Sequence, residues 1–318
     1  MGSSPTRSGA IATLRDALLI LSAVSVVAST ASADERMFGY VLTTDTLPQG
    51  QLEQQDTLTA GLGKSRGDYQ LYQLATGLDY GVTNELQGAL FLNTHLVTAD
   101  RDSIAGRTSG FFVPRNIGAG SSYTAARVDG VSLALKYRLL SPYKDLVGLA
   151  FAVEPTLGPA DTAIEYRLIG HKTFVDDTVI WATNLALLQD WQHVTSSPVN
   201  IYAPTRPGGP AGWNRSSFLE FDTGLSVRFT ENWFAGLEFR DSNEFNGPFF
   251  QQAGSSAFFL GPNIHYGGEA IWATLTILPQ LPVAKAYSSD QAQVRAEGRI
   301  YGDEYQRVAV RLALGIQF

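Results

Sequence analysis

The chain has 318 residues, 17% charged and 44% hydrophobic, with a formal charge of −7 and no cysteine. A mean hydropathy of −0.03 excludes a bundle of spanning helices, the acidic balance argues against a nucleic-acid partner, and the lack of cysteine excludes a disulfide framework and thiolate metal centres. A transmembrane β-barrel fits these values, because only alternate residues of its strands need be apolar.

Residues 1–33 read as a secretory signal peptide, with Arg7 and Arg15 as the positive n-region, Ala17 to Ala28 as the apolar run and Ala31-Ser-Ala33 as the cleavage box. The run is too short for a spanning helix. Cleavage near Ala33 and export to the outer membrane of a Gram-negative bacterium are therefore expected. No other run approaches spanning length, so membrane residence after export requires a barrel. In residues 34–50, Phe38, Tyr40 and Leu42 alternate, but Pro48-Gln-Gly50 marks a turn. A strand here would make the total odd, and single-chain bacterial barrels are even. The segment is expected to be periplasmic, tucked against the barrel mouth.

Residues 51–318 carry twelve strand-length stretches separated by turn signals. The first, about 51–63, alternates worst, since Gln54 and Asp56 fall on its supposed lipid face. The second and third, about 69–82 and 85–98, set Leu74, Leu78, Leu90 and Leu92 against Gln73, Asp79, Gln87 and His95. The fourth to sixth, about 126–139, 146–157 and 161–172, set Leu133, Leu135, Phe151 and Leu168 against Lys136, Arg138, Glu154, Glu165 and Arg167. The seventh, about 177–191, is ambiguous, because Ile180 and Leu188 share the polar face with Asn184 and Asp190. The eighth and ninth, about 216–230 and 232–243, place Glu220, Asp222, Arg228, Glu238 and Arg240 opposite apolar residues. The tenth and eleventh, about 256–266 and 268–279, oppose Leu260, Ile264 and Leu275 to Asn263, His265, Thr274 and Thr276. The last, 305–318, puts Val308 to Phe318 on one face and Arg307 and Arg311 on the other.

The pattern predicts an all-β, antiparallel up-and-down transmembrane barrel of about twelve strands. Short connections follow strands 2, 4, 6, 8 and 10 and belong to the periplasm, whereas long loops at about 99–125, 192–215, 244–255 and 280–304 belong outside. Tyr80, Tyr137, Phe229, Trp233, Tyr266 and Phe318 share the lipid register near the periplasmic ends, as an aromatic girdle would. The candidate lumen-lining residues are Asp79, Lys136, Arg138, Glu154, Glu165, Arg167, Glu220, Asp222, Arg228, Glu238, Arg240, Arg307 and Arg311, with Glu53 and Asp190 in the same register. They suit either an ion-pair ladder that fills the barrel or a hydrated passage with a transverse field. Twelve strands lie between the eight that side chains fill and the sixteen that leave a channel. Arg307 and Arg311 are candidates to meet inward acids, Glu53 among them, across the seam between the last and first strands.

Other chemistry is sparse. His95, His171 and His265 point inward without metal-ligand spacing, and His193 lies in a long loop, so no metal or cofactor is expected. His193, Ser196 and Ser216 offer a weak hydrolase arrangement, since Thr195 occupies the place of a His-x-Ser serine; no catalytic residue is expected. Asp100-Arg-Asp102-Ser103 lacks the remaining features of a calcium loop. Gly106–Ser122 and Pro204–Gly212 suit irregular outer loops, either of which can fold inward as a constriction, and residues 288–297 suit a short helix.

Phe38-Gly-Tyr40, Thr43-Thr-Asp-Thr-Leu-Pro-Gln-Gly50, Leu78-Asp-Tyr-Gly-Val-Thr-Asn-Glu85, Phe259-Leu-Gly-Pro-Asn-Ile-His-Tyr266, Ile271-Trp-Ala-Thr-Leu-Thr276 and the closing strand give the mature chain its family likeness. It resembles a proteobacterial outer-membrane β-barrel family defined by a domain of unknown function. More distantly it is similar to barrels named as transporters of aromatic-degradation pathways. The resemblance implies outer-membrane location and transfers no catalytic residue. The expected function is a passive, porin-like channel for small solutes, with a closed barrel of structural or loop-mediated binding role second and a lipid hydrolase third. Expected partners are outer-membrane lipids, the barrel-assembly machinery through the carboxy-terminal strand, and a solute that the residues do not specify.

Overall fold

A computed structural model describes residues 36–64, 67–100, 111–113, 120–159, 161–194, 212–284, 301–302 and 305–318. The signal peptide and the helix expected at 288–297 lie outside the described residues. Twelve strands follow in chain order: β1 (Leu52–Leu62), β2 (Tyr69–Gly81), β3 (Leu86–Asp100), β4 (Ser122–Leu140), β5 (Gly148–Leu157), β6 (Asp161–Phe174), β7 (Val179–Val194), β8 (Gly212–Thr230), β9 (Trp233–Asn246), β10 (Gln252–Gly267), β11 (Ile271–Leu281) and β12 (Val308–Gln317). Each pairs antiparallel with its neighbours, and β1 pairs with β12 to close the barrel. Closure leaves no sheet edge, so every strand satisfies its backbone groups within the wall. Strand spacing and tilt give a backbone diameter of roughly 22 Å for twelve strands.

Burial is inverted relative to a soluble protein. Leu90 is 56% exposed, whereas the carboxylate residues Glu53, Asp222 and Glu238 are each 1% exposed. The exposed leucines, among them Leu78, Leu133, Leu168, Leu185, Leu225 and Leu237, follow one register around the outside. An apolar belt around a polar interior is the arrangement a hydrocarbon environment selects. An arginine at Leu90 is accordingly expected to destabilise the barrel by about 2–4 kcal/mol when placed near the bilayer midplane. Urea unfolding of Leu90→Arg in lipid vesicles measures this, and an unchanged midpoint would contradict the membrane-facing assignment.

Strand β1 keeps full register with both neighbours despite its poor alternation. The outward Asp56 accepts hydrogen bonds from Thr76 and from Gln54 Nε2, so the polar groups of this face satisfy one another. Two expectations are corrected. The β9–β10 connection is a short turn, 247–251, because both strands extend further than their alternation suggests. Arg311 also does not meet Glu53. The seam pairs Glu53 with Gln317 and Thr59 with Arg311, which places the two charges six residues apart along β1. Arg311 Nε donates to Thr59 Oγ1 at 2.9 Å, and Glu53 instead accepts from Trp272 Nε1 at 3.0 Å. The indole reaches across Gly315, where a Cβ would sit 2.0 Å from Trp272 Nε1, so only glycine leaves it room.

Candidate functional site

Residues 36–50 form neither a thirteenth strand nor a segment confined to the rim. They run inside the wall, from β11 past β10, β9 and β7 to β6, and leave beside the β2–β3 turn. The turn at Pro48–Gly50 then feeds β1. Gly50 adopts a φ of +84° and donates from its N–H to Gly81 O at 2.8 Å.

Backbone groups buried in a lumen need partners, and the inward side chains supply them. The Glu238 carboxylate accepts from the N–H groups of Gly39 at 2.8 Å and Tyr40 at 2.9 Å, and from the Thr276 hydroxyl at 2.6 Å. Asn184 binds Leu42 twice, accepting from its N–H at 2.7 Å and donating to its carbonyl at 2.9 Å. Asn263 donates to Met37 O at 3.0 Å, Arg311 to Gly39 O at 3.0 Å, and Thr274 to Arg36 O. Nearer the short-turn end, His171 pairs with the Thr44 hydroxyl, Leu47 N–H donates to Gln87, and Gln87 donates to Asp79.

Apolar side chains of the segment fill pockets between these anchors. Met37, Phe38 and Val41 pack on Ile180, Ala182 and Phe234, and Gly224 leaves the space that the Phe38 ring occupies. Tyr40 packs with Ala257, Phe259, Leu278, Tyr305 and Ala309, and the guanidinium groups of Arg311 and Arg240 lie over its ring at 3.8 and 4.6 Å. The inward Ile180 thus breaks the polar pattern of β7 because it faces protein rather than water.

Around this core the wall charges pair. Arg167 Nε donates to Glu165 at 2.8 Å, and its Nη1 reaches Asn184 at 3.1 Å and Asp222 at 3.3 Å. Arg240 Nη2 donates to Glu220 at 2.6 Å. Arg138 and Arg228 donate to the carbonyls of Asn84 and Asp176 and brace the short turns. Arg307 lies over the Tyr301 ring and reaches Gln280 at 3.4 Å. Lys136, Glu154 and Asp79, together with the paired Glu165 and Arg167, line a crevice of about 60 Å³ between Arg36, Leu42 and Thr43 of the segment and the β2–β6 side of the wall. That volume holds several water molecules.

The opposite end is also narrowed from within. Phe111, Phe112 and Val113 of the β3–β4 connection turn inward, with Tyr69 Oη donating to Phe111 O at 2.9 Å, Phe112 stacked on His95 at 3.9 Å and Phe111 edge-on to Tyr305. His95 pairs with Asp129 at 2.5 Å and His265 with the Thr274 hydroxyl at 2.7 Å. No group of three metal-ligating side chains forms among the described residues. Ser216 pairs with Asp190 and His193 with Trp213 across the β7–β8 ladder, while Ser196 lies outside the described residues. Of the girdle candidates, Tyr80, Tyr137, Phe229 and Trp233 are exposed near the short-turn end, Tyr266 lies 5.1 Å from Trp233 by ring centre, and Phe318 is half-buried.

A family of unknown function, DUF6662, matches residues 30–318. The chain belongs to the DUF6662 family. No curated protein matches the sequence. Among solved structures, the chain is similar to the COG4313 outer membrane channel from Pseudomonas putida F1, at 10% identity and a TM-score of 0.54, over 86% of this chain and 98% of that one. It is also similar to the translocator domain of the autotransporter NalP from Neisseria meningitidis, at 11% identity and a TM-score of 0.49, over 86% and 91% of the two chains. The first likeness is one of fold: the closed wall of an outer-membrane barrel.

Proposed function

We propose that the protein is a gated passive channel for small solutes in the outer membrane of a Gram-negative bacterium, with Arg36–Gln49 as its gate. One observation carries the reading. The lumen is filled by a segment of chain rather than by the wall's own side chains, as eight-stranded barrels are. That segment is joined to the wall by hydrogen bonds and side-chain packing, contacts that water and a solute can replace. Its removal would expose a bore lined by both signs of charge, which orients polar solutes. The similar Pseudomonas putida barrel is itself named a channel, which agrees with this reading. Outer-membrane lipids would cover the apolar belt, and the barrel-assembly machinery would take the carboxy-terminal strand. No residue is assigned a catalytic role, and no cofactor is invoked.

Planar-bilayer recording tests the reading. Brief openings of the full-length mature chain above the bare-lipid baseline are expected; silence at every voltage, for this chain and for one lacking the segment, would contradict it. The small volume of the crevice favours a second reading, a permanently closed barrel acting through its outer loops, and that protein would stay silent in both forms.

A further inference from the structure

The wall contacts the amino-terminal segment mainly through its backbone. Asn263, Glu238, Arg311 and Asn184, on β10, β9, β12 and β7, take up peptide groups from Met37 to Leu42 in chain order. Side-chain amides and carboxylates that pair with main-chain N–H and C=O groups recognise a peptide backbone whatever its sequence. Two pockets add preference, one holding Phe38 and the other Tyr40, with the small Gly39 between them against Thr276.

We infer that the lumen wall is a binding site for short peptides that bend at a small residue flanked by bulky apolar ones, and that Arg36–Leu42 is its tethered occupant. The inference rests on the channel reading for its consequence: peptides would be the solutes that displace the segment and open the passage. The tether explains why the site is filled. A linked segment competes at an effective concentration of about millimolar, so a free peptide must exceed that level or outbind the segment.

The full-length chain can be made to vacate its own site. A Cβ on residue 39 would lie 2.6 Å from Thr276 Oγ1 and 2.8 Å from Thr276 Cβ; a shift of about 1 Å absorbs a Cβ alone, whereas the two additional γ-methyls of Gly39→Val are expected to expel the segment and leave the wall unaltered. The probe is a synthetic peptide of residues 36–43, with a second version N-methylated at the positions of Gly39 and Tyr40. Calorimetry in detergent is expected to show the unmodified peptide binding Gly39→Val at least about tenfold tighter than the wild-type chain. N-methylation, which removes both hydrogen bonds to Glu238, is expected to weaken it by about tenfold or more. Asn184→Leu in the Gly39→Val background should weaken it again. Heat-modifiable gel mobility verifies that each variant remains a folded barrel, and Gly39→Leu provides a second expelled form. Equal binding of the two peptides, or none to folded barrels of either variant, would overturn the inference. Calorimetry needs no conductance: selective binding by a barrel that never conducts would remove the channel and keep the site. Conduction without selective binding would do the reverse.

Discussion

Deleting residues 36–47 is expected to raise the time-averaged conductance per channel by about tenfold or more, the largest change any alteration of this chain should produce. Beside the segment, the described residues leave a crevice of about 60 Å³. A twelve-stranded wall encloses a bore of roughly 22 Å between backbones, and its inward side chains alone do not fill that space. The deletion keeps Pro48–Gly50, whose turn seats against Gly81 and feeds β1, so barrel closure through β1 and β12 is retained. Both signs of charge would then face the bore at mid-height, with Arg167, Arg240 and Arg311 near Glu165, Glu220, Asp222 and Glu238. Conductance equal to that of the full-length chain would mean that Phe111–Val113 and the wall already seal the passage.

Glu238→Ala should produce the second largest effect, on the frequency of opening rather than on its size. The carboxylate accepts two N–H groups from the segment, and hydrogen bonds to charged groups contribute about 1.5–3 kcal/mol each. Their loss, about 3 kcal/mol or more, corresponds to roughly a 100-fold shift of the closed-to-open ratio. Single-channel recordings should show correspondingly more time open at unchanged conductance. Glu53→Gln serves as the control, since Glu53 is as buried and its carboxylate accepts from Trp272 of the wall. An equal rise in both variants would trace the effect to a loosened barrel instead of a loosened gate.

The fold was legible wherever two faces of a strand met different surroundings. Strands β8 and β12 alternate cleanly because one face meets the apolar belt and the other meets charge. Strand β7 reads ambiguously because its inward Ile180 packs on Phe38 and Val41, and a residue facing protein on the inside has no reason to be polar. Gln54 and Asp56 on β1 mislead for a different reason: Thr76, on the adjacent strand, satisfies a carboxylate that alternation alone would count as an error. The lumenal segment is traceable in the sequence through the inward Ile180 of β7 and through the even strand count that keeps residues 34–50 out of the wall, but not in its path. Its position depends on Gly39 meeting Glu238, 199 residues away, and periodicity carries no information about such pairings. The same holds for Arg311, whose partners follow from seam register. The charged register of the lumen could be read residue by residue; which members line the crevice, like Lys136 and Glu154, and which brace turns, like Arg138 and Arg228, could not.

The most direct test locks the gate reversibly. The chain contains no cysteine, so a pair introduced as Gly39→Cys and Thr276→Cys can form only one disulfide. The Cβ positions stand 2.8 Å apart as built on the backbone, and a shift of about 1 Å in the segment reaches disulfide geometry. In a planar bilayer the oxidised protein is expected to show no openings above the bare-lipid baseline, and openings should return when reductant is added to the same membrane. Openings of equal frequency with the cross-link intact would contradict the assignment of this segment as the gate.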